Sequence, residues 1–267
     1  MPNALYPPLK PRSLGELLEA VLQIFRLSLL KCLPYATLAI IAGQMSTFYY
    51  LARGRTPVLD SNDPVGVALS GLGTLIFLML SMAILLRQSS IAAGRPVAGW
   101  ADLLNTLKRA PAIAAIALLT GAAVAVFIMP ALALAPPYRT AGIVVMLAPA
   151  IYVWIALQFS LPALVLARKG VLASLAYGFT LVRGHRWRVA GIYIIGLSAI
   201  STLCVLAAAV FTMALSDNGA DDIAITRAVS SAASLAVIAI GLTLYCALML
   251  ALFGDLEIRR ITSSADQ

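Results

Sequence analysis

Six stretches of this chain run for 19 to 27 residues without an Asp, Glu, Lys, Arg or His: Leu33 to Leu51, Val65 to Leu86, Pro111 to Leu134, Ala141 to Leu166, Val189 to Leu215 and Ala228 to Phe253. Each is the length a helix needs to cross about 30 Å of hydrocarbon, which takes about 20 residues. They are too long for strands and lack the alternation of a membrane barrel. With 61% hydrophobic and 11% charged residues, the chain has too little polar surface to cover a core in water. The expected fold is an all-α integral membrane protein with six transmembrane helices. It forms a single membrane domain over 13–255, between tails at 1–12 and 256–267. The tail Met1 to Arg12 is Pro-rich and basic, and no small-residue cleavage signature follows it, so the first run reads as a retained signal anchor.

Orientation follows from the 19 Lys and Arg. Fifteen fall on one side of the spans: Lys10, Arg12, Arg26, Lys31, Arg87, Arg95, Lys108, Arg109, Arg168, Lys169, Arg183, Arg186, Arg188, Arg259 and Arg260. Only Arg53, Arg55, Arg139 and Arg227 fall on the other. The loops are short, so the positive-inside rule places both termini in the cytoplasm. The net charge of +8 therefore answers to topology and to anionic lipid, and no nucleic-acid partner is expected.

Three shorter amphipathic patterns occupy the basic side. The first runs from Ser13 to Lys31: Ser13 and Glu16 make a capping box, and Leu14, Leu17, Leu18, Val21 and Phe25 form a stripe opposite Glu19, Gln23 and Arg26. The second follows Arg95-Pro96 and carries Val97, Trp100, Leu103, Leu104 and Leu107 on one face. The third runs from Gly170 to Arg183, with Leu172, Leu175, Ala176, Phe179 and Val182 as its stripe and Gly184 placed to stop it. Leu14 and Val171, Leu18 and Leu175, Arg26 and Arg183, and Lys31 and Arg188 pair at a constant interval. The chain fits three copies of one plan, an interfacial helix followed by two spans, although any even-numbered bundle with amphipathic loops produces some of this likeness.

The segments Leu14-Gly15-Glu16-Leu17-Leu18 with Phe25-Arg26, Leu181 to Val189 and Asp255-Leu256-Glu257-Ile258-Arg259-Arg260 resemble a group of bacterial multi-pass proteins. That group is similar to the membrane domain attached to some glycerophosphodiester phosphodiesterases. The resemblance covers nearly the whole chain and implies a six-helix fold in the bacterial inner membrane. It does not extend to phosphodiester chemistry. That activity belongs to a separate soluble barrel with paired histidines, acids and a metal, and this chain has one histidine and no spare length for such a domain.

No catalytic constellation is expected, because the span cores contain no ionisable group to move protons or hold a metal. Cys32, Cys204 and Cys246 are far apart and lack metal-ligand spacing, so they read as buried thiols with no cofactor or metal role. The favoured reading is a non-enzymatic membrane component whose basic inner face binds anionic lipid or, alternatively, a cytoplasmic protein partner. Its candidate contacts are Arg26, Lys31, Lys108, Arg109, Arg183, His185, Arg186 and Arg188. The alternative is a small permease or a transporter of lipid or neutral solute. Pro149 and Pro162 would kink the fourth span around Trp154 and Gln158, and a candidate cavity would be lined by Gln44, Trp154, Gln158, Tyr193 and Tyr245. The three-unit plan is similar to that of mitochondrial carriers, but the charged gate residues of carrier spans are missing from these span cores.

Asp255 and Glu257 are expected to pair with basic groups of the third interfacial helix. Asp217 to Asp222 reads as a solvated hairpin around Asn218-Gly219. Gly71, Gly73, Gly121, Gly142, Gly191, Gly196 and Gly241 are candidates for close helix approach.

Overall fold

The computed structural model describes residues 5–8, 10–55, 63–95, 99–216 and 223–265. Among them are ten helices and no strand: α1 Leu14–Gly43, α2 Met45–Ala52, α3 Pro64–Ala92, α4 Gly99–Leu107, α5 Ala110–Leu132, α6 Pro136–Gln158, α7 Ser160–Leu166, α8 Val171–Val182, α9 Arg186–Ser216 and α10 Ile223–Ala265. Six stretches are long and apolar enough to cross a membrane, with α6 and α7 together supplying one. This is the architecture of an all-helical, multi-pass membrane protein. The expected hairpin at Asp217 to Asp222, and the start of the second amphipathic pattern at Pro96 to Ala98, lie outside the described residues.

Helix starts follow local chemistry. Ser13 and Glu16 form the expected capping box, each side chain bonded to the other's backbone N–H at 3.3 and 2.8 Å. Asp63 caps α3 by accepting from the N–H groups of Val65 and Gly66, with Pro64 in the first turn.

Three helix boundaries differ from the sequence expectation. The segment Ser13 to Lys31 is not a separate helix but the first half of α1, because no turn residue intervenes before Leu33 and the helix accommodates Pro34. The first expected span is instead interrupted at Gln44, between α1 and α2. Likewise α3 continues to Ala92, beyond the expected end at Leu86.

In the fourth span only one of the two prolines ends a helix. Pro149 lies inside α6, whereas the chain breaks at Phe159 between α6 and α7. Pro162 has no N–H to give the carbonyl of Gln158 one turn before it, which accounts for the position of the break.

The best-covered helix is α10, which packs against α1, α3 and α9. Small buried residues, Ala36 and Ala39 on α1 and Ala239 and Ala247 on α10, allow this approach. At Gly73 the backbones of α3 and α1 come so close that an added methyl would run into the carbonyl oxygen of Ala42. Gln88 ties the same three helices together: its amide nitrogen donates to Ser28 Oγ at 3.3 Å and to the Thr243 carbonyl at 2.9 Å. The α5–α6 hairpin flanks this core, and on α5 only Ile113, Ile116 and Ala131 are buried among the described residues.

Candidate functional site

One end of the bundle gathers the N-terminal tail, the last turn of α3, α4, α8, the first turn of α9 and residues 255–260 of α10. Its organising group is Asp255, whose side chain is fully buried. Asp255 accepts the backbone N–H of Arg12 at 2.7 Å and pairs with Arg188 at 3.4 Å and Arg259 at 2.9 Å. The Arg12 carbonyl accepts from the same two guanidinium groups at 2.7 and 2.8 Å. The Arg12 side chain reaches the Leu5 carbonyl, and the Leu5 N–H reaches the Ala92 carbonyl. The tail is thus strapped across α3, α9 and α10. Burial lowers the pKa of the Arg12 guanidinium, an effect that Asp255 opposes.

Asp255 therefore pairs at the start of α9 and within α10 rather than with α8. Glu257 does reach α8, where it accepts from the Tyr177 hydroxyl at 3.2 Å. Lys169 and Arg260 lie over the Tyr177 ring, at 3.8 and 4.7 Å from its centroid. Burial first, and Glu257 next, raise the pKa of Tyr6 and Tyr177.

The turn from α8 into α9 forms a hollow of about 650 Å³ lined by Arg183, Gly184, His185, Arg186, Trp187 and Arg188. Gly184 makes the turn at φ +94°, a conformation that a side chain would resist. Arg183 and Arg186 are exposed and His185 is half-buried. Arg186 lies over the rings of Tyr152 and Phe179, at 5.2 and 5.8 Å. Trp187 is 92% exposed, a large apolar ring held at the surface between two arginines. Arg188 faces inward to Asp255.

The other expected cations do not join this hollow. Arg26 and Lys108 are exposed elsewhere, and Lys31 borders a separate notch with Tyr35, Arg87 and Trp100. Arg109 donates to the carbonyls of Leu164 and Val165, capping the end of α7. The uncovered residues of the same helices include large apolar ones: Leu14, Leu18 and Leu22 on α1, Trp100, Leu104 and Leu107 on α4, and Leu172 and Phe179 on α8. On α8 the bundle covers Ser174, Gly178, Leu181 and Val182. Of the expected stripe, Val182 turns inward while Leu172, Ala176 and Phe179 are exposed.

A second constellation sits deeper in the bundle. Trp154 and Gln158 on α6, Tyr193 on α9 and Tyr245 on α10 line one cavity of about 540 Å³, with further walls from α1, α3 and α7. The Gln158 amide donates to the Tyr245 hydroxyl, which is itself hydrogen-bonded to the Tyr193 hydroxyl. The rings of Trp154 and Tyr193 meet edge to face at 5.4 Å, and those of Tyr193 and Tyr245 at 6.0 Å. Four of the five expected cavity residues come together. The fifth, Gln44, is at the break between α1 and α2 and does not line the cavity.

Sequence reasoning missed Gln88 and the burial of Asp255. Gln88 falls after Arg87, where an apolar count ends the span. Asp255 is buried by partners far away in the chain, Arg12 and Arg188. The three cysteines are free thiols; Cys32 and Cys246 are buried, as expected, whereas Cys204 is only half-buried. Comparisons with protein-family models, curated proteins and solved structures gave no match.

Proposed function

We propose that this protein is a non-enzymatic, multi-pass component of the bacterial cytoplasmic membrane, with both termini inside, whose basic end binds the headgroups of anionic lipids. The observation that carries this reading is the surface around Trp187. An almost fully exposed tryptophan shares the α8–α9 turn with the exposed cations Arg183 and Arg186, and Arg186 lies over the ring of the uncovered Phe179. Tryptophan favours the membrane–water interface, and arginine beside it meets phosphate at the same depth.

The uncovered apolar residues of α4, α8 and the first half of α1 support the same placement, with the three amphipathic segments lying against the lipid. The repeated plan is carried best by the second and third units, where α4 and α8 each precede two spans. The fifteen basic residues assigned to this end, against four at the other, support its cytoplasmic orientation, and the likeness to bacterial inner-membrane proteins supports the location. A non-enzymatic role agrees with the engagement of Asp255, Glu257 and Glu16. Asp255 holds Arg188 and Arg259, Glu257 accepts from Tyr177, and Glu16 caps α1.

The test is lipid binding by the purified full chain. Each surface Arg contributes about 1 kcal/mol toward an anionic membrane, so Arg183→Gln with Arg186→Gln removes about 2 kcal/mol and weakens phosphatidylglycerol binding roughly thirty-fold. Phosphatidylcholine binding stays unchanged. Equal phosphatidylglycerol binding by the parent and the double variant would sink the proposal, and a cytoplasmic protein partner would then be the next occupant to test.

A further inference from the structure

We propose that the cavity bounded by Trp154, Gln158, Tyr193 and Tyr245 is a binding site for a neutral lipid with a free hydroxyl, entered sideways from the bilayer. This site is separate from the headgroup surface and does not depend on it. Its volume of about 540 Å³ falls within the range of small-molecule sites, and its chemistry follows their pattern of apolar walls with a few convergent polar groups.

The polar groups define the ligand. Tyr193 and Tyr245 carry two hydroxyl hydrogens between them, and their mutual bond uses one. The second is a donor for a ligand oxygen. Gln158 gives one amide hydrogen to Tyr245, which leaves its side-chain oxygen as an acceptor for a ligand hydroxyl. Donor and acceptor thus converge at one end of the cavity, as a hydroxyl requires. None of the described side chains lining the cavity is charged. A charged headgroup would enter without a counter-ion, which low-dielectric surroundings penalise.

The rim gives the direction of entry. Among the lining residues, Ser201 on α9 and Ile238 on α10 are exposed, and each sits near the middle of its helix. An opening at mid-helix faces the bilayer rather than the water at either end. Apart from Ser81, the remaining walls, including Phe77, Leu161, Leu197 and Met249, are apolar and suit a hydrocarbon chain.

The test places the full chain in phosphatidylcholine nanodiscs with a diacylglycerol that carries a diazirine in one acyl chain. A phosphatidylcholine with the same diazirine chain is the control. Photolysis should label the α9 and α10 peptides that line the cavity, and unlabelled diacylglycerol should compete this labelling away. Tyr245→Phe should lower the competed fraction at least five-fold. Ile238→Trp, which blocks the rim from its exposed side, should abolish it and decides the question if Tyr245→Phe does not fold. Labelling that unlabelled diacylglycerol does not compete, that survives Ile238→Trp, or that is equal with the phosphatidylcholine probe would overturn the proposal. Arg183→Gln with Arg186→Gln should leave this labelling intact, so the two sites can fail separately.

Discussion

Helices α5 and α10 are equally apolar, with a mean hydropathy of 2.5 over their spanning stretches, yet 11% of that stretch is buried in α5 and 61% in α10. Hydropathy measures aversion to water and is silent on whether protein or lipid replaces it. What separates the two is the shape and polarity of their neighbours. Around α10, small residues admit close backbones, and Gln88 and Asp255 supply bonds that hold the helices in one register. On α5 the bulky Leu118, Val126 and Met129 point outward and find no protein partner large enough to cover them. The molecule is thus a well-fastened core of α1, α3 and α10 with a thinly attached flank, and the cavity lies where the two meet.

This contrast is open to direct attack. The largest effect is expected from Asp255→Ala, which leaves Arg188 and Arg259 facing each other without their carboxylate. Breaking a buried pair in this way costs about 3 kcal/mol, read as a fall in the thermal midpoint of the detergent-purified protein. An unchanged midpoint would show that the strap is ornamental. Next comes Gly73→Leu, which forces α3 off the Ala42 carbonyl and costs about 2 kcal/mol by overpacking. The matching change on the flank, Gly121→Leu, meets no atom within 4 Å and should be nearly silent in the same assay. Equal losses at the two glycines would erase the distinction between core and flank. A smaller loss than at Gly73 is expected from Gln88→Leu, about 1 kcal/mol, because hydrogen bonds between membrane helices are modest.

The parts legible in the sequence are those set by local rules. Six apolar runs locate the spans, Ser13 and Glu16 start α1, and the missing N–H of Pro162 marks the break that carries Gln158. Trp154 and Gln158 are visible as cavity residues for the same local reason. Tyr193 and Tyr245 stand out as polar residues of their spans, although nothing in the sequence joins their hydroxyls. Partnerships across long separations are not legible. Arg188 reads as a surface cation until Asp255 is seen beneath it, and Arg109 until the carbonyls of Leu164 and Val165 are seen to face it. Helices outrun their apolar runs where a cation sits within a continuing helix, as Arg87 does while bonded to Tyr35 at 3.1 Å. Long basic side chains reach toward water from inside a helix, so a charge does not by itself end a span.

The central claim is that lipid covers the apolar surface the protein leaves bare, with the basic end at headgroup depth. The most direct measurement is spin-label accessibility at two positions, Leu118→Cys on α5 and Leu172→Cys on α8, in a background with Cys32, Cys204 and Cys246 replaced by alanine. In liposomes the label at position 118 should be open to oxygen and closed to a water-soluble nickel chelate, while the label at 172 should be reached by both, as at the membrane surface. A label at 118 that the chelate reaches freely, or one at 172 as deep as that at 118, would contradict the account.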